Sequence, residues 1–527
     1  MADVIYLNGS IITQNPDLEQ VEALALTGDR IVAVGSNAAA LEHREPHTEV
    51  VDLQGAVMLP GFHDAHVHLT GYGIALDRPD FGRIGSLEEG LDLLATLKGG
   101  DGWLLGVGVP VALWGPERLK ASVLDRIFPD RPVLLKSQDM HSVWVNSRVL
   151  QLAGITRDTP DPQGGRIGRD LGGNPDGLLF ESATDLVQAI VPEPGPAELR
   201  AALDAAAREL AAMGVTSVHH MAAEPASQWQ ALASRASEAD YPLRVWACIP
   251  QEDLEAAQAV GLATGQGGSG FQIGGAKFFI DGALGSGTAW FIEPYSGSSD
   301  HGVTMLDPGV FRERIAKAVE AGLVPVIHAI GDAAVRETID ALEACAAAWQ
   351  ARGMRPRLEH AQHITKQDVA RMARLGIIAS MQPIHLTFDA LVAERQLGSA
   401  RLGQAYVFRQ FLEAGVPLAF GSDTPVAPPG VFEGLAAATS RVARDGRAFQ
   451  PQEATTMAEA LHAYTAGAAW AIGREDVSGR LAPGFEADLV VLNRHPAGRL
   501  EDIRVLRTVK GGRITFDAGV LSGGNDE

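Results

Sequence analysis

Cysteine is scarce in this sequence, which has two, Cys248 and Cys345, among 527 residues. Two cysteines exclude a scaffold built on disulfides and a cysteine-rich metal site. Positive charge is also in short supply, because 43 Lys and Arg stand against 65 Asp and Glu, for a net charge of −22. So acidic a chain repels phosphate backbones and anionic lipids. We therefore expect neither nucleic acid nor a membrane surface as a partner.

Signals for export and for membrane insertion are missing as well. The first nine residues lack a basic segment followed by an apolar one. The longest uncharged apolar runs, such as Gly322–Ile330, are much shorter than the ~18 residues of a membrane-spanning helix. These absences predict a cytoplasmic protein. No phosphate loop, GxSxG elbow or HExxH motif occurs either, so serine-triad and nucleotide hydrolysis have no support.

Both ends of the chain consist of short apolar runs separated by turn residues, a pattern typical of β-strands. Apolar material is plentiful, at 46% of the residues. From these runs we predict one small β-sandwich built from residues 1–60 and 478–527. The predicted strands are Val4–Leu7, Ile11–Thr13, Ala23–Leu26, Arg30–Val34, Val50–Leu53, Ala487–Leu492, Ile503–Lys510 and Arg513–Phe516.

The middle of the chain repeats a different unit, a helix followed by a glycine and an apolar strand. Ala197–Met213 leads to Gly214 and then to Val215–His220, and the unit recurs around later glycines. Such units favour a parallel sheet with helices on its faces. Eight candidate strands predict an α/β fold, a (β/α)8 barrel over residues 61–477. They are Phe62–Leu69, Val215–His220, Leu243–Ile249, Ala276–Asp281, Val324–Ile330, Arg357–His360, Ile377–Met381 and Leu418–Asp423.

Residues 70–195 separate the first two predicted barrel strands. This stretch is too long for an ordinary loop between a strand and a helix. We predict that it is an insert, a cap with secondary structure of its own.

Potential metal ligands stand at the ends of several predicted barrel strands. His66 and His68 are two residues apart on the first strand, so both imidazoles project to one face. Either could be an ordinary packed or hydrogen-bonded residue. However, a titratable group at the end of an apolar strand is costly unless it is paired or metal-bound, and barrel enzymes take their catalytic residues from these ends. The later members of the series are Lys277, His328, His360 and Asp423.

This ordered series resembles the metal-dependent amidohydrolase superfamily. The sequence is more narrowly similar to amidohydrolase family 3, the branch that contains N-substituted formamide deformylase. The resemblance covers nearly the whole chain. It rests on Leu59–His68, Asp139–Ser147, Lys277–Ser286, His328–Asp332, Glu359–Gln362, Gly421–Val426 and Gly484–Val490.

The resemblance implies a divalent metal centre, with zinc the expected metal and one or two ions bound. Iron, manganese or nickel would also suit imidazole and carboxylate ligands. The resemblance further implies that Lys277 is the superfamily lysine that is often carboxylated and bridges two ions; an unmodified Lys277 would leave one ion. The implied ligands are His66, His68, Lys277, His328, His360 and Asp423.

The expected activity is hydrolysis of a C–N bond in a small molecule, as in an amide or an N-formyl or N-acyl group. Metal-activated hydroxide would attack the carbonyl, with Asp423 as general base. His141 in the insert and His385 after the seventh strand are candidates for substrate contact. Asp281 is a third candidate, for substrate contact or for support of a ligand.

Two alternatives to hydrolysis stay open at this point. The first is isomerisation or decarboxylation, which similar barrels with the same ligands also perform. The second is a non-catalytic scaffold on this fold. The resemblance also suggests a homodimer. The substrate itself is not specified by these motifs, because the pocket is formed by loops and by the insert.

Overall fold

A computed structural model describes residues 1–18, 20–82, 84–99 and 102–521. Residues 522–527, at the end of the predicted sandwich, lie outside the described residues, as do positions 83, 100 and 101 of the predicted insert. The predicted domain boundaries stay predictions.

Eight parallel strands form the central sheet in sequence order, which confirms the predicted (β/α)8 barrel. The barrel is closed where the last strand meets the first. There the Asp423 amide donates to the His66 carbonyl at 2.7 Å, and the His68 amide donates to the Thr424 carbonyl at 2.8 Å. The strands are Phe62–Val67, Val215–His220, Arg244–Pro250, Phe271–Phe279, Pro325–Ala329, Arg357–His360, Ile378–Met381 and Leu418–Phe420.

Glycine ends three helices of the barrel just before the next strand. Gly322, Gly376 and Gly415 are all left-handed, with φ of 83°, 75° and 78°. Glycine adopts this conformation without steric cost, which is why the helix–glycine–strand pattern was readable from the sequence.

Helices surround the barrel, and their apolar faces pack on the outside of the sheet in one continuous core. None of the helices in the described ranges is long and apolar enough to cross a membrane. The helices between and after the barrel strands are Leu69–Leu76, Pro196–Ala212, Ala226–Ala236, Leu254–Ala259, Pro308–Ala321, Asp332–Ala344, Ala346–Ala351, Lys366–Leu375, Leu386–Leu397, Phe408–Ala414, Val431–Ser440, Met457–Ala463 and Ala466–Ala471.

Strands from both ends of the chain share one six-stranded sheet beside the barrel. In spatial order these strands are Arg513–Asp517, Val505–Lys510, Leu489–Leu492, Val57–Pro60, Ser10–Ile12 and Gln20–Val21. A four-stranded sheet from the N-terminal segment packs with it around a common apolar core, and the helix Asn37–Leu41 lies against that sheet. Its strands are Arg30–Gly35, Ala23–Thr27, Val4–Leu7 and Glu49–Asp52.

The chain between the first two barrel strands forms a five-stranded sheet with short helices. Its strands, in spatial order, are Gly165–Arg169, Pro175–Glu181, Ser142–Val145, Val133–Ser137 and Leu104–Val109. Its helices are Leu87–Thr96, Val111–Trp114, Ala121–Asp125, Ser147–Leu152 and Asp185–Gln188. This sheet has apolar cores of its own and covers the carboxyl ends of the barrel strands, where it walls the cavity described below.

Candidate metal centre

Three of the predicted ligands converge at the carboxyl ends of the strands. One side-chain donor atom from each of His66, His360 and Asp423 lies within 4.8 Å of those of the other two. Asp423 Oδ1 is 3.3 Å from Nε2 of both His66 and His68. The His328 ring lies beside the His360 ring, with 4.5 Å between centroids. The first, fifth, sixth and eighth strands therefore deliver their histidines and the aspartate to one place.

Several buried polar atoms in this cluster have no hydrogen-bond partner among the described residues. They are His66 Nε2, His360 Nδ1, Asp423 Oδ1 and Lys277 Nζ. A buried polar atom without a partner costs free energy, and such atoms are rare in native proteins. Imidazole nitrogens and a carboxylate oxygen that all lack partners are the donor set of a divalent metal. The residues present therefore fit a divalent ion.

The hydrogen bonds of the histidines set which nitrogen is free to bind metal. His66 Nδ1 donates to Glu359 Oε2 at 2.7 Å, so Nε2 carries the lone pair that faces Asp423. His328 Nε2 lies 3.1 Å from the Gly282 carbonyl, so it donates there and Nδ1 is left unprotonated. Fixing the tautomer through a carboxylate or carbonyl is how proteins orient metal-binding histidines.

Electrostatics favour positive charge at the centre of the cluster. Burial alone would raise the pKa of Asp423, but the neighbouring His66, followed by His68 and His360, holds it well below its usual value. Burial also lowers the pKa of His328 and of His360 well below the ordinary range. The aspartate is therefore ionised and these two imidazoles are neutral, which are the protonation states that metal ligands need.

Lys277 lies at the same end of the barrel, on the fourth strand. It is 1% exposed, and its Nζ lies 4.1 Å from the centroid of the Phe279 ring. Burial lowers the pKa of Lys277 to about 8. Near neutral pH a larger share of this amine is therefore uncharged than for an exposed lysine.

Two of the metal-site residues have left-handed backbone. His360 has φ of 72° and Asp423 has φ of 63°. Such values are uncommon for residues other than glycine, and they cluster at functional sites. At His360 the turn also breaks the strand alternation, so His360 joins the cluster although the adjacent Glu359 already faces the barrel interior and reaches His66.

A half-buried ion pair from the insert reaches the cluster. His141 Nδ1 donates to Glu181 Oε2 at 2.8 Å, and the His141 ring lies 5.7 Å from that of His328. Glu181 also accepts hydrogen bonds from Ser286 and Thr288 in the loop after the fourth strand. Burial alone would lower the pKa of His141, but Glu181 raises it to about 9. The structure thus places a protonated His141 on the cavity wall.

The two remaining sequence candidates have different surroundings. His385 lines the cavity, its Nε2 is 3.7 Å from Asp423 Oδ2, and its ring stacks near that of His360. Asp281 is fully buried behind His328, where its carboxylate accepts the backbone amides of Trp290, Ile330 and Gly331. A substrate-contacting role for Asp281 does not fit this position, because backbone donors already occupy the carboxylate. Its position suits support of the loop beside His328.

Sequence reasoning assigned no role to the residues beneath the cluster. Arg357 donates to Glu359 Oε1 at 2.9 Å, to Ser380 Oγ at 2.8 Å and to the Ala65 carbonyl at 2.7 Å, and it meets His219 Nδ1 at 2.9 Å. This fully buried network fixes Glu359 and through it His66. One signal was present, since Arg and Glu inside an apolar strand must find partners.

The cluster forms the floor of one cavity of about 1380 Å³ between the barrel and the insert. Typical small-molecule pockets measure ~300–1,000 Å³, so this one has room for a substrate much larger than a formyl group. His66, His68, His141, His328, His360, His385 and Asp423 all line it.

Comparisons with known proteins agree with this geometry. The chain is 33% identical over 539 residues to putative amidohydrolase YtcJ of Bacillus subtilis, covering 97% of this chain and 99% of that protein. It is 28% identical over 541 residues to N-substituted formamide deformylase of Arthrobacter pascens, covering 98% and 99%. A metal-dependent hydrolase from Pyrococcus horikoshii superposes with a TM-score of 0.77 at 26% identity, covering 94% of this chain and 99% of that one.

The amidohydrolase family itself matches residues 49–516, which include the barrel, the insert and the terminal strands from Glu49–Asp52 onward, but not the five strands before them. The match contains every residue of the metal cluster. Together with the metal-dependent hydrolases of the same shape, it identifies a hydrolase that uses a divalent metal. The chain belongs to the amidohydrolase family.

Proposed function

We propose that this protein hydrolyses a C–N bond in a small molecule, an amide or an N-acyl or N-formyl compound, with zinc as its metal. One observation carries the proposal, the convergence of unpartnered donor atoms on the floor of a single cavity. Imidazoles and a carboxylate are ligand types that catalytic zinc takes. The similarity to an N-substituted formamide deformylase supports an amide as the bond.

His66, His68, His328, His360 and Asp423 would hold the metal, with Lys277 as a further ligand if it is carboxylated. When bound, the ion polarises a carbonyl and lowers the pKa of a water molecule toward ~7. Everything else that the reaction needs must come from side chains around the cavity.

Asp423 is placed to move the proton. Its carboxylate is ionised, its Oδ1 lacks a hydrogen-bond partner, and it faces both the cluster and the cavity. It would accept a proton from the attacking water and release it to the departing nitrogen, which must leave as a neutral amine.

Two imidazoles are placed to meet the substrate carbonyl. His141 carries positive charge, and its hydrogen bond to Glu181 leaves Nε2 as the remaining polar atom of its ring. His385 Nε2 is buried without a hydrogen-bond partner in the described structure. A cation or N–H donor beside the carbonyl oxygen stabilises the charge that develops there during attack.

The experiment is a screen of N-formyl, N-acetyl and aryl amides with Asp423→Asn beside the unaltered protein. Released amine is measured by fluorescent labelling and metal content by elemental analysis. We expect amine release from at least one amide class, and loss of turnover in Asp423→Asn with most of the metal retained. Asp445→Asn, a change at an exposed carboxylate on the cavity rim, is the matched control.

Water labelled with heavy oxygen separates hydrolysis from the other reactions of such barrels. Hydrolysis places the label in the acid product, whereas isomerisation and decarboxylation leave it out. Full activity in Asp423→Asn would overturn the proposed base. A protein that acquires no zinc, iron or manganese on reconstitution would overturn the metal mechanism. The same elemental analysis counts one ion or two, and a mass increase equal to one carbon dioxide would show a carboxylated Lys277.

A further inference from the structure

Arg78 and Lys136 line the same cavity but take no part in the metal cluster; the other arginines that line it, Arg395 and Arg444, are exposed. Arg78 follows the helix Leu69–Leu76, which begins directly after His68. Lys136 lies on the insert strand Val133–Ser137. Both are half-buried. Two positive groups from separate parts of the fold therefore meet one cavity wall.

Within the part of the chain that the structure describes, neither cation has a protein partner of its own. Among the described residues, no carboxylate is within ion-pair distance of Arg78 or Lys136, and neither side chain makes a hydrogen bond. This is unusual in a chain with 65 acidic residues, where most buried or half-buried arginines have a carboxylate. A half-buried charge without a partner lowers stability. Positions that carry such a cost are typically kept for binding.

The wall around the two cations is apolar. Lys136 and Leu134 project to the same face of their strand, and the neighbouring strand adds Leu105 and Val107 to that wall. Lys136 is the charged member of an otherwise aliphatic strand face. An apolar surface with a cationic end complements a ligand with an apolar body and an anionic end.

One acidic group needs consideration as a counter-ion. Asp185 is the carboxylate that contributes to the electrostatics of Lys136, but it is exposed and outside ion-pair distance. Burial and then the neighbouring Arg78 lower the pKa of Lys136 to about 8, and Asp185 offsets this only in part. The alternative is therefore that Asp185 is the counter-ion of Lys136, and a single substitution of Asp185 can test it.

We propose that Arg78 and Lys136 form a subsite for a carboxylate on the substrate, at the end remote from the bond that is hydrolysed. The helix between His68 and Arg78 is about 12 Å long. A substrate that used both sites would therefore carry a spacer of several bonds, which the aliphatic wall would cover. This inference rests on the proposed function only in that it calls the ligand a substrate. Binding of an anion at the site can be tested without any turnover.

The first test measures binding of hydrocinnamate and of neutral hydrocinnamyl alcohol to the full chain, as purified, by calorimetry. These probes share an apolar body and differ in charge, and neither contains an amide. We expect the carboxylate to bind about tenfold more tightly or better, as a charge-assisted hydrogen bond predicts. Arg78→Met and Lys136→Met should each reduce this preference, and the double variant should abolish it. Arg126→Gln changes the same charge at an exposed insert position that does not line the cavity, and it should have no effect.

Three outcomes would overturn the subsite. A preference that survives in the double variant would place the carboxylate on the metal or elsewhere. Equal binding of the two probes to the unaltered protein would mean that the cations select no anion. An Asp185→Asn variant that loses the same preference as Lys136→Met would assign Lys136 to Asp185. Melting temperatures check the fold, and Lys136→Met should not melt earlier, since it removes a charge without a partner.

The second test uses kinetics once an amide substrate is known. Paired N-acyl substrates, with and without a carboxylate at the far end, should differ in kcat/KM by about tenfold or more. The double variant should erase that difference while it still cleaves the neutral substrate. Failure of the calorimetric test in an active amidase overturns this subsite alone. Failure of amide cleavage with intact anion binding overturns the proposed function alone.

Discussion

Two buried clusters of charged side chains lie at opposite ends of the barrel strands, and they differ in whether their atoms have partners. Arg244 begins the third strand, and its guanidinium makes two hydrogen bonds with Asp488, at 2.6 and 3.0 Å. Asp488 accepts a further one from the Gly511 amide at 2.7 Å. At the other end, donor atoms of His66 and His360 have no partner in the described structure. The paired cluster joins the terminal sheets to the barrel, and the unpaired one is built for an ion.

Removal of ligands at the metal end should have the strongest effect, a loss of bound metal. His66→Ala with His68→Ala removes two ligands, so metal affinity should fall by much more than the ~100-fold that loss of a supporting residue costs. Elemental analysis should then find almost no metal after dialysis. Without metal, the variant should melt earlier than the unaltered protein, because the buried Glu359 carboxylate loses its hydrogen bond from His66 Nδ1. An unchanged metal content would move the site elsewhere.

The paired end should respond in stability and not in metal content. Arg244→Met leaves the buried Asp488 carboxylate without its partner, and breaking such a pair costs about 3–5 kcal/mol of unfolding free energy. The measurement is the denaturant midpoint followed by tryptophan fluorescence. Arg200→Met is the control, since its ion pair with Glu238 is on the surface and is worth at most ~1 kcal/mol. Equal losses in both variants would contradict the contrast.

Glu359 connects a paired group to an unpaired atom. It pairs with Arg357, and it orients His66, whose Nε2 has no partner in the described structure. Glu359→Gln removes the charge that accepts the His66 Nδ1 proton and pairs with Arg357. We expect metal affinity to weaken about 10–100-fold, as measured by competition with a chelator. Glu337→Gln alters an ion pair with Arg312 on the outside of the barrel and should leave metal affinity unchanged. Equal affinities in all three proteins would remove Glu359 from the positioning role.

The smallest expected effect is a gain in stability, at Lys136. Burial lowers its pKa from 10.5 to about 8, so the unfolded chain binds more protons between those values and stability rises with pH there. The cost of the charge is complete below pH 8 and is gone above about pH 10.5. Lys136→Met should therefore be more stable than the unaltered protein by about 1–3 kcal/mol at pH 7.

Denaturant midpoints from pH 7 to 10.5 check this, and the advantage of Lys136→Met should shrink toward zero over that range. Lys317→Met, a change at a lysine whose side chain is 41% exposed and pairs with Glu313, is the control and should show no such trend. A variant that is less stable at pH 7 would mean that Lys136 has a structural partner.

Most of the barrel could be predicted from the sequence, because glycine caps and apolar strands are local signals. The fourth strand shows the limit. Its start was predicted at Ala276, but the strand begins at Phe271 and runs through Gly274 and Gly275. These glycines look like a break, yet a Cβ on Gly275 would lie 2.1 Å from the Val324 carbonyl oxygen. Their presence reflects close packing with neighbouring strands, which the sequence does not reveal.

The site could be predicted as a set of residues but not as a geometry. His66, His360 and Asp423 can be identified from their residue types and from their positions at strand ends. Glu359 cannot, because strict alternation would turn it away from the face that His360 uses. Only the left-handed φ of 72° at His360 brings both side chains inward. Nothing in the sequence marks Lys136 as a cavity residue, because that depends on how the insert covers the barrel.

The contact between the first and last barrel strands determines when the metal cluster can form during synthesis of the protein. His66 belongs to the first barrel strand and Asp423 follows the last, and the two are joined by a backbone hydrogen bond as well as by the cluster. A growing chain therefore cannot assemble the complete cluster until residue 423 has left the ribosome and returned to the first strand, after a loop closure that spans most of the sequence. Until then His66 and His68 can hold an ion only loosely. Resistance of the bound metal to a chelator should therefore appear late in folding, when the last strand of the barrel pairs with the first.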